Sequence, residues 1–164
     1  MKMSLLAVLA MSSVLAACAG SGKGKLPSTD TVSCKAVSKQ EIAALFDRWN
    51  NSLKTGDPKQ VVANYAPGSI LLPTVSNKPR LTPEEKEDYF THFLSHKPVG
   101  SIDMSHIQIG CNLAMDNGLY TFTYADGTKH SGRYTFTYGW DGNAWLISSH
   151  HSSLMPEKPG KSKH

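Results

Sequence analysis

Apolar residues recur at helical spacing through the first half of the folded chain and at every second position in its last third. The change of period falls near Gly100. Ser38-Lys39-Gln40-Glu41 reads as a capping box, and Ile42, Leu45, Phe46, Trp49 and Leu53 follow as one apolar helical stripe. Gly56 ends that helix, and Asp57-Pro58 opens a short second one carrying Val61, Val62 and Tyr65. Ile70-Leu71-Leu72 predicts a brief strand stopped by Pro73. Thr82-Pro83-Glu84-Glu85 then caps a third helix with Tyr89, Phe90, Phe93 and Leu94 on its buried face. Beyond Gly100, Ile102, Met104, Ile107 and Ile109 predict a strand with a bulge near Ser105-His106. Leu113 to Met115 leads through Asp116-Asn117-Gly118 into the alternation of Leu119 to Tyr124. Asp126-Gly127 and Asp141-Gly142 are turns around an alternating Arg133 to Tyr138, and Trp145 to Ser153 is the last strand. Helices first and hairpin-linked strands afterwards predict an α+β domain, with three helices on one face of a bent antiparallel sheet.

Residues 1–17 fall outside this pattern. Lys2, the apolar run Leu5 to Met11 and the small residues after it form an export signal too short to remain as a membrane-spanning helix. The signal ends in Leu15-Ala16-Ala17-Cys18, which resembles the bacterial lipobox; that resemblance implies acylation of Cys18 and cleavage before it. Ala19, where an Asp would retain the protein at the inner membrane, implies sorting to the outer membrane, facing the periplasm. The alternative is plain secretion to the periplasm or beyond. Residues 18–33 read as a flexible tether rich in Gly, Ser and Lys, residues 34–157 as the folded domain, and residues 158–164 as a disordered basic tail.

Export changes the meaning of the two other cysteines. In an oxidising compartment Cys34 and Cys111 pair most simply as a disulfide, worth about 4 kcal/mol on the chain-entropy model. The length of 164 residues fits one domain, and the formal charge of +4 contains no dense basic run before the tail, so nucleic-acid binding is not demanded.

Several ordered segments resemble a known family. They are W-N-x-x-L-x-T-G-D-P at 49–58, Y-A-P-x-x-x-L-L-P-T-V-S-N at 65–77, T-P-E-E-x-x-D-Y-F-x-H-F-L at 82–94, Y-T-F-T at 120–123, R-Y-T-F at 133–136 and H-H-S-S-x-M-P at 150–156. Together they are similar to the calcium/calmodulin-dependent kinase II association domain in its bacterial stand-alone branch. That branch lies within the nuclear-transport-factor-two-like (SnoaL-like) superfamily. The resemblance implies a cone-shaped fold with a strongly bent sheet around the first helix, a homodimer or larger assembly, and a pocket at the mouth of the cone. Relatives are often labelled oxidoreductases, but this chain has no Gly-rich dinucleotide turn and no haem or iron–sulfur cysteine set, so no cofactor is expected.

Within that frame the pocket candidates are Trp49, Tyr65, Arg133, His150 and Ser152. In the kinase hub the last strand carries a pocket arginine that can hold a carboxylate; Ser152 stands at the matching position here, so acidic-ligand binding is not inherited. Arg133 is the one arginine in the sheet strands that could replace it. Strict alternation puts Leu146, Ser148, His150 and Ser152 on one face of the last strand. His150 could act as a pocket base, though a hydrogen-bonded structural histidine is the plainer reading. The acids lie mostly at caps and turns, Asp116 among them, with Asp47 and Asp103 the exceptions. His92 and His96 share a helix face without an identifiable third ligand, so no metal is expected. The aromatic series 120, 122, 124 and 134, 136, 138 reads for the most part as core or dimer contact rather than ligand stacking. The expectation is a lipid-anchored, non-catalytic domain binding a small ligand or a protein segment in its cone. The rival is an isomerase, dehydratase or cyclase with His150 as general base and Tyr65 or Arg133 polarising a carbonyl.

Overall fold

The structure, a computed structural model, describes residues 32–156. The signal peptide, Cys18, all of the tether but its last two residues, and the basic tail lie outside the described residues.

Each helix starts where its cap dictates. In α1 (Lys39–Leu53) the Glu41 amide donates to the Ser38 hydroxyl at 3.2 Å, and the Glu41 carboxylate accepts from the Ser38 amide at 2.8 Å. Its stripe buries Ile42, Phe46, Trp49 and Leu53, with Leu45 only half-buried. Asp57 caps α2 (Pro58–Val62) through the Lys59 amide at 2.9 Å, and Thr82 caps α3 (Pro83–Leu94) with a second complete capping box. Tyr65 is not part of α2. The Asn64 side chain donates to the Gln60 and Val61 carbonyls at 3.1 and 3.0 Å, taking the acceptors that further helix would need. The chain therefore leaves extended, and strand β1 runs over Tyr65–Leu72 rather than only its last three residues.

The remaining strands are β2 (Val99–Gly110), β3 (Leu113–Thr123), β4 (Lys129–Trp140) and β5 (Trp145–Leu154), in the sheet order β1-β5-β4-β3-β2. Four of them pair antiparallel as expected, while β1 adds to β5 in parallel. Asp126-Gly127 and Asp141-Gly142 turn the chain, each Asp accepting amides just beyond it.

Three local expectations are corrected. The β2 bulge lies at Asp103, where pairing passes from Ile102–Tyr120 to Met104–Leu119, not at Ser105-His106. Asp116-Asn117-Gly118 is the middle of β3, not a turn. A Cβ on Gly118 would lie 1.8 Å from the Met104 carbonyl oxygen, so this glycine serves a close approach of backbones. Finally, pairing of β5 passes from Tyr138–Ile147 to Thr137–Ser149, leaving Ser148 as a bulge. The bulge reverses the alternation, so Trp145 and Ile147 share the buried face with His150 and Ser152.

Cys34 and Cys111 are bonded across 77 positions. Asn112 reinforces the join: its side chain accepts from the Lys35 amide at 2.7 Å and donates to the Ser33 carbonyl at 3.0 Å. The start of the domain is thus fastened to the β2–β3 turn. Between α1 and the sheet, Trp49 packs edge-on against Phe90, Phe122 and Phe136 with centroid separations of 5.6 to 6.3 Å.

Candidate functional site

The core does not fill the space between α3 and the strands. Tyr89, Phe90 and Phe93 of α3, Trp49 of α1, and Tyr120, Phe122 and Tyr124 of β3 enclose a cavity of about 530 Å³. The β3 aromatics therefore line a void as well as the core, while Tyr134, Phe136 and Tyr138 of β4 are core alone. The spacing alone could not separate these, because the same inward face of β3 serves both. Thr74 and Val75, just past β1, and His150, Ser152 and Leu154 of β5 complete the wall, while the exposed His92, His96 and His130 stand at the mouth. The volume suits a small organic molecule, and the predominantly aromatic wall suits an apolar one.

Polar groups gather at two points inside. The Thr74 and Ser152 hydroxyls are 2.5 Å apart and lie beside that of Tyr120; burial raises the Tyr120 pKa, and these two neighbours hold the rise back. His150 is 5% exposed, stacked on Phe136 at 4.0 Å between centroids and edge-on to Trp49 at 5.5 Å. Burial, and secondarily the neighbouring His151, lowers its pKa to about 3, so the imidazole is neutral at pH 7. Its Nδ1 lies 2.8 Å from the Tyr65 hydroxyl, whose own pKa is raised well above 10.0 by burial.

Of the five candidates, Trp49, His150 and Ser152 line the cavity. Tyr65 stands behind His150 as its hydrogen-bond partner and does not line it. Arg133 does not belong to the site: it is exposed, while Tyr134 beside it is buried and points inward. The stretch of β4 around it alternates regularly, which sends its side chain to the far face of the sheet.

The acids are placed differently from expectation too. Asp47 is exposed, and Asp103 is exposed and accepts from the Thr121 hydroxyl at 2.7 Å. The inward carboxylate is Asp116, 1% exposed, accepting from Ser105 at 2.5 Å and from Tyr134 at 3.2 Å, and it does not line the cavity. Its alternation with Ala114 and Tyr120 was a usable signal, masked by the turn-like triplet. Lys86 was also missed. It is 2% exposed and donates to the Ser69 and Leu81 carbonyls at 2.7 and 3.0 Å, and burial lowers its pKa. Its position one helical turn before Phe90 and two before Leu94 already put it on the buried face. Among the described residues no three His, Cys, Asp or Glu side chains are grouped to hold a metal ion.

Comparison with known proteins fits this geometry. Residues 38–156 match the calcium/calmodulin dependent protein kinase II association domain. The chain belongs to that family. A protein of known structure from Xanthomonas campestris, provisionally assigned to the same association domain, is 43% identical; the match covers 77% of this chain and 98% of that one, with a TM-score of 0.69. An NTF2-like protein of unknown function from Pseudomonas putida is 16% identical over 77% of this chain and 100% of its own, with a TM-score of 0.65. A provisionally named dehydratase of the NTF2-like family from Streptomyces avermitilis is 10% identical over 71% and 95%, with a TM-score of 0.63. At these identities the last two speak for the shared fold alone. No curated protein matches the chain. This association-domain member thus has the NTF2-like fold, a family setting that suggests self-association, and a cavity suited to ligand binding.

Proposed function

We propose that the protein is a lipid-anchored, periplasm-facing, dimeric domain that holds a small ligand in its aromatic cavity without transforming it. The observation that carries this reading is the cavity of about 530 Å³ with His150 in its wall beside a phenol rather than a carboxylate. A general base works best with a pKa near the working pH, and an imidazole titrating at about 3 is a poor one. Asp116 lies two strands away across Phe136 and is bonded to Ser105 and Tyr134. This weighs against the rival isomerase, dehydratase or cyclase reading.

Attachment through Cys18 rests on the lipobox-like tetrapeptide. The Cys34–Cys111 disulfide fits an oxidising compartment. The dimer rests on the association-domain family and on the sheet face opposite the helices, where Thr121, Thr135 and Thr137 remain half-exposed. Native mass spectrometry of the detergent-released protein tests the reading in one measurement. A dimer carrying diacylglyceryl mass on Cys18 and a bound small molecule is expected; a bare, unlipidated monomer overturns it.

A further inference from the structure

The hydrogen bonding around His150 constrains what the cavity can hold. Tyr65 is buried, and its hydroxyl proton needs an acceptor. On one side lies the indole nitrogen of Trp49, buried without a hydrogen-bond partner, yet close enough to the phenol to ease its pKa rise. An indole N–H can only donate, so it cannot take the proton. On the other side is Nδ1 of His150 at 2.8 Å, the one hydrogen-bond partner that the phenol has among the described residues. The order is therefore set by chemistry: only Nδ1 can accept, so the phenol O–H donates to it. With Nδ1 accepting and the ring neutral, the single ring proton sits on Nε2. That nitrogen makes no hydrogen bond among the described residues and is not sealed as the Trp49 nitrogen is, so it opens on the cavity.

Resting on the pocket reading above, we propose that His150 presents Nε2–H to the cavity as a hydrogen-bond donor, held in that tautomer by Tyr65, and selects an uncharged aromatic ligand bearing a carbonyl-type acceptor. The aromatic character follows from the rings of Trp49, Phe90, Phe93 and Phe122 in the wall. The lack of charge follows from the inner groups. His150 and the Thr74, Ser152 and Tyr120 hydroxyls are all neutral, and the one carboxylate in the wall, Asp126, is exposed, so a buried ion would have no counter-charge among the inner groups. Tyr65 is then a positioning residue, acting through the imidazole.

Two measurements on the intact protein test this. Long-range proton–nitrogen NMR of the His150 ring should show a protonated Nε2 and a bare Nδ1; a protonated Nδ1 overturns the proposal whatever binds. In a ligand-observed NMR titration, 2-acetylnaphthalene should bind roughly threefold to tenfold more tightly than 2-isopropenylnaphthalene, which has the same shape without the acceptor. His150→Phe, which keeps the ring and removes the donor, should bring the two within about twofold of each other, and Tyr65→Phe should narrow the gap. Equal binding of both probes by the unmodified protein overturns the donor role and leaves the pocket reading standing. Binding of neither overturns the pocket reading, and the ligand class falls with it. Should the His150→Phe chain fail to fold, the ring spectrum and the unmodified protein's preference between the probes still decide.

Discussion

The inner face of the sheet carries two titratable side chains in one row, Asp116 on β3 and His150 on β5 with Phe136 between them, and the two are treated in opposite ways. On β3, Asp116 borders the closed row of Ala114, Tyr138 and Ile147 that follows toward the β2–β3 turn, and two hydroxyls donate to it. Toward the cavity, His150 has one nitrogen bonded to Tyr65 and the other free among the described residues. Burial is nearly the same, 1% and 5%. The difference lies in what remains unbonded and whether a void adjoins it, so a cavity-facing donor, rather than burial itself, distinguishes a site from a strut. The contrast is not perfect, since the Tyr138 hydroxyl is buried without a partner at the closed end, and nothing in the structure explains that.

The strongest way to break the contrast is to loosen the closed end. Replacing both Cys34 and Cys111 by Ser should cost about 4 kcal/mol in urea unfolding, because the bond closes a long loop at that end. Arene affinity measured on the remaining folded protein should be unchanged; a parallel loss would mean the two ends act as one. Asp116→Ala comes next. It leaves Ser105 and Tyr134 without their acceptor and should cost about 2 to 3 kcal/mol, again with arene binding intact.

Acid should sharpen the contrast from the side of His150. The folded pKa of His150, about 3, lies below its unfolded value near 6.5, so between those limits the unfolded chain holds the extra proton. Stability contributed by the neutral imidazole is complete above pH 6.5 and is lost as pH falls toward the folded value. Unfolding at pH 5 should therefore show about 2 kcal/mol less stability than at pH 7 from this group, and His150→Phe should flatten that slope. The smallest effect belongs to Arg133→Ala. This exposed residue on the opposite face should change stability by no more than about 0.5 kcal/mol and leave arene affinity unaltered. A large drop in affinity would return Arg133 to the pocket.

The helices were legible in the sequence because capping is local: Ser38 with Glu41 and Thr82 with Glu85 define their ends within four residues. The strands were legible as strands, but their facing was not everywhere. Facing depends on bulges at Asp103 and Ser148, which arise from pairing with distant partners and leave no mark in the alternation itself. Strict alternation therefore turns His150 inward with the wrong facemates: Leu146 and Ser148 do not share its face, while Ile147 does. Asp116 was lost to a triplet that looks like a turn, although Gly118 is there for the close backbone of β2. Trp49 and Ser152 came from helical spacing and family resemblance and do line the cavity. Tyr65 belongs to the site as the partner behind a lining group rather than as a lining group itself.

The bulge at Ser148 bears on how this strand tolerates insertions and deletions. Because Ser149 and His150 are placed by Thr137 and Phe136 of the neighbouring strand, their positions are not counted from Trp145. Removing Ser148 would leave Ile147 opposite Tyr138 and Ser149 opposite Thr137, now as an unbroken ladder. The strand can thus lose one residue while the imidazole keeps its address in the cavity, much as a sentence with its parenthesis deleted keeps its meaning.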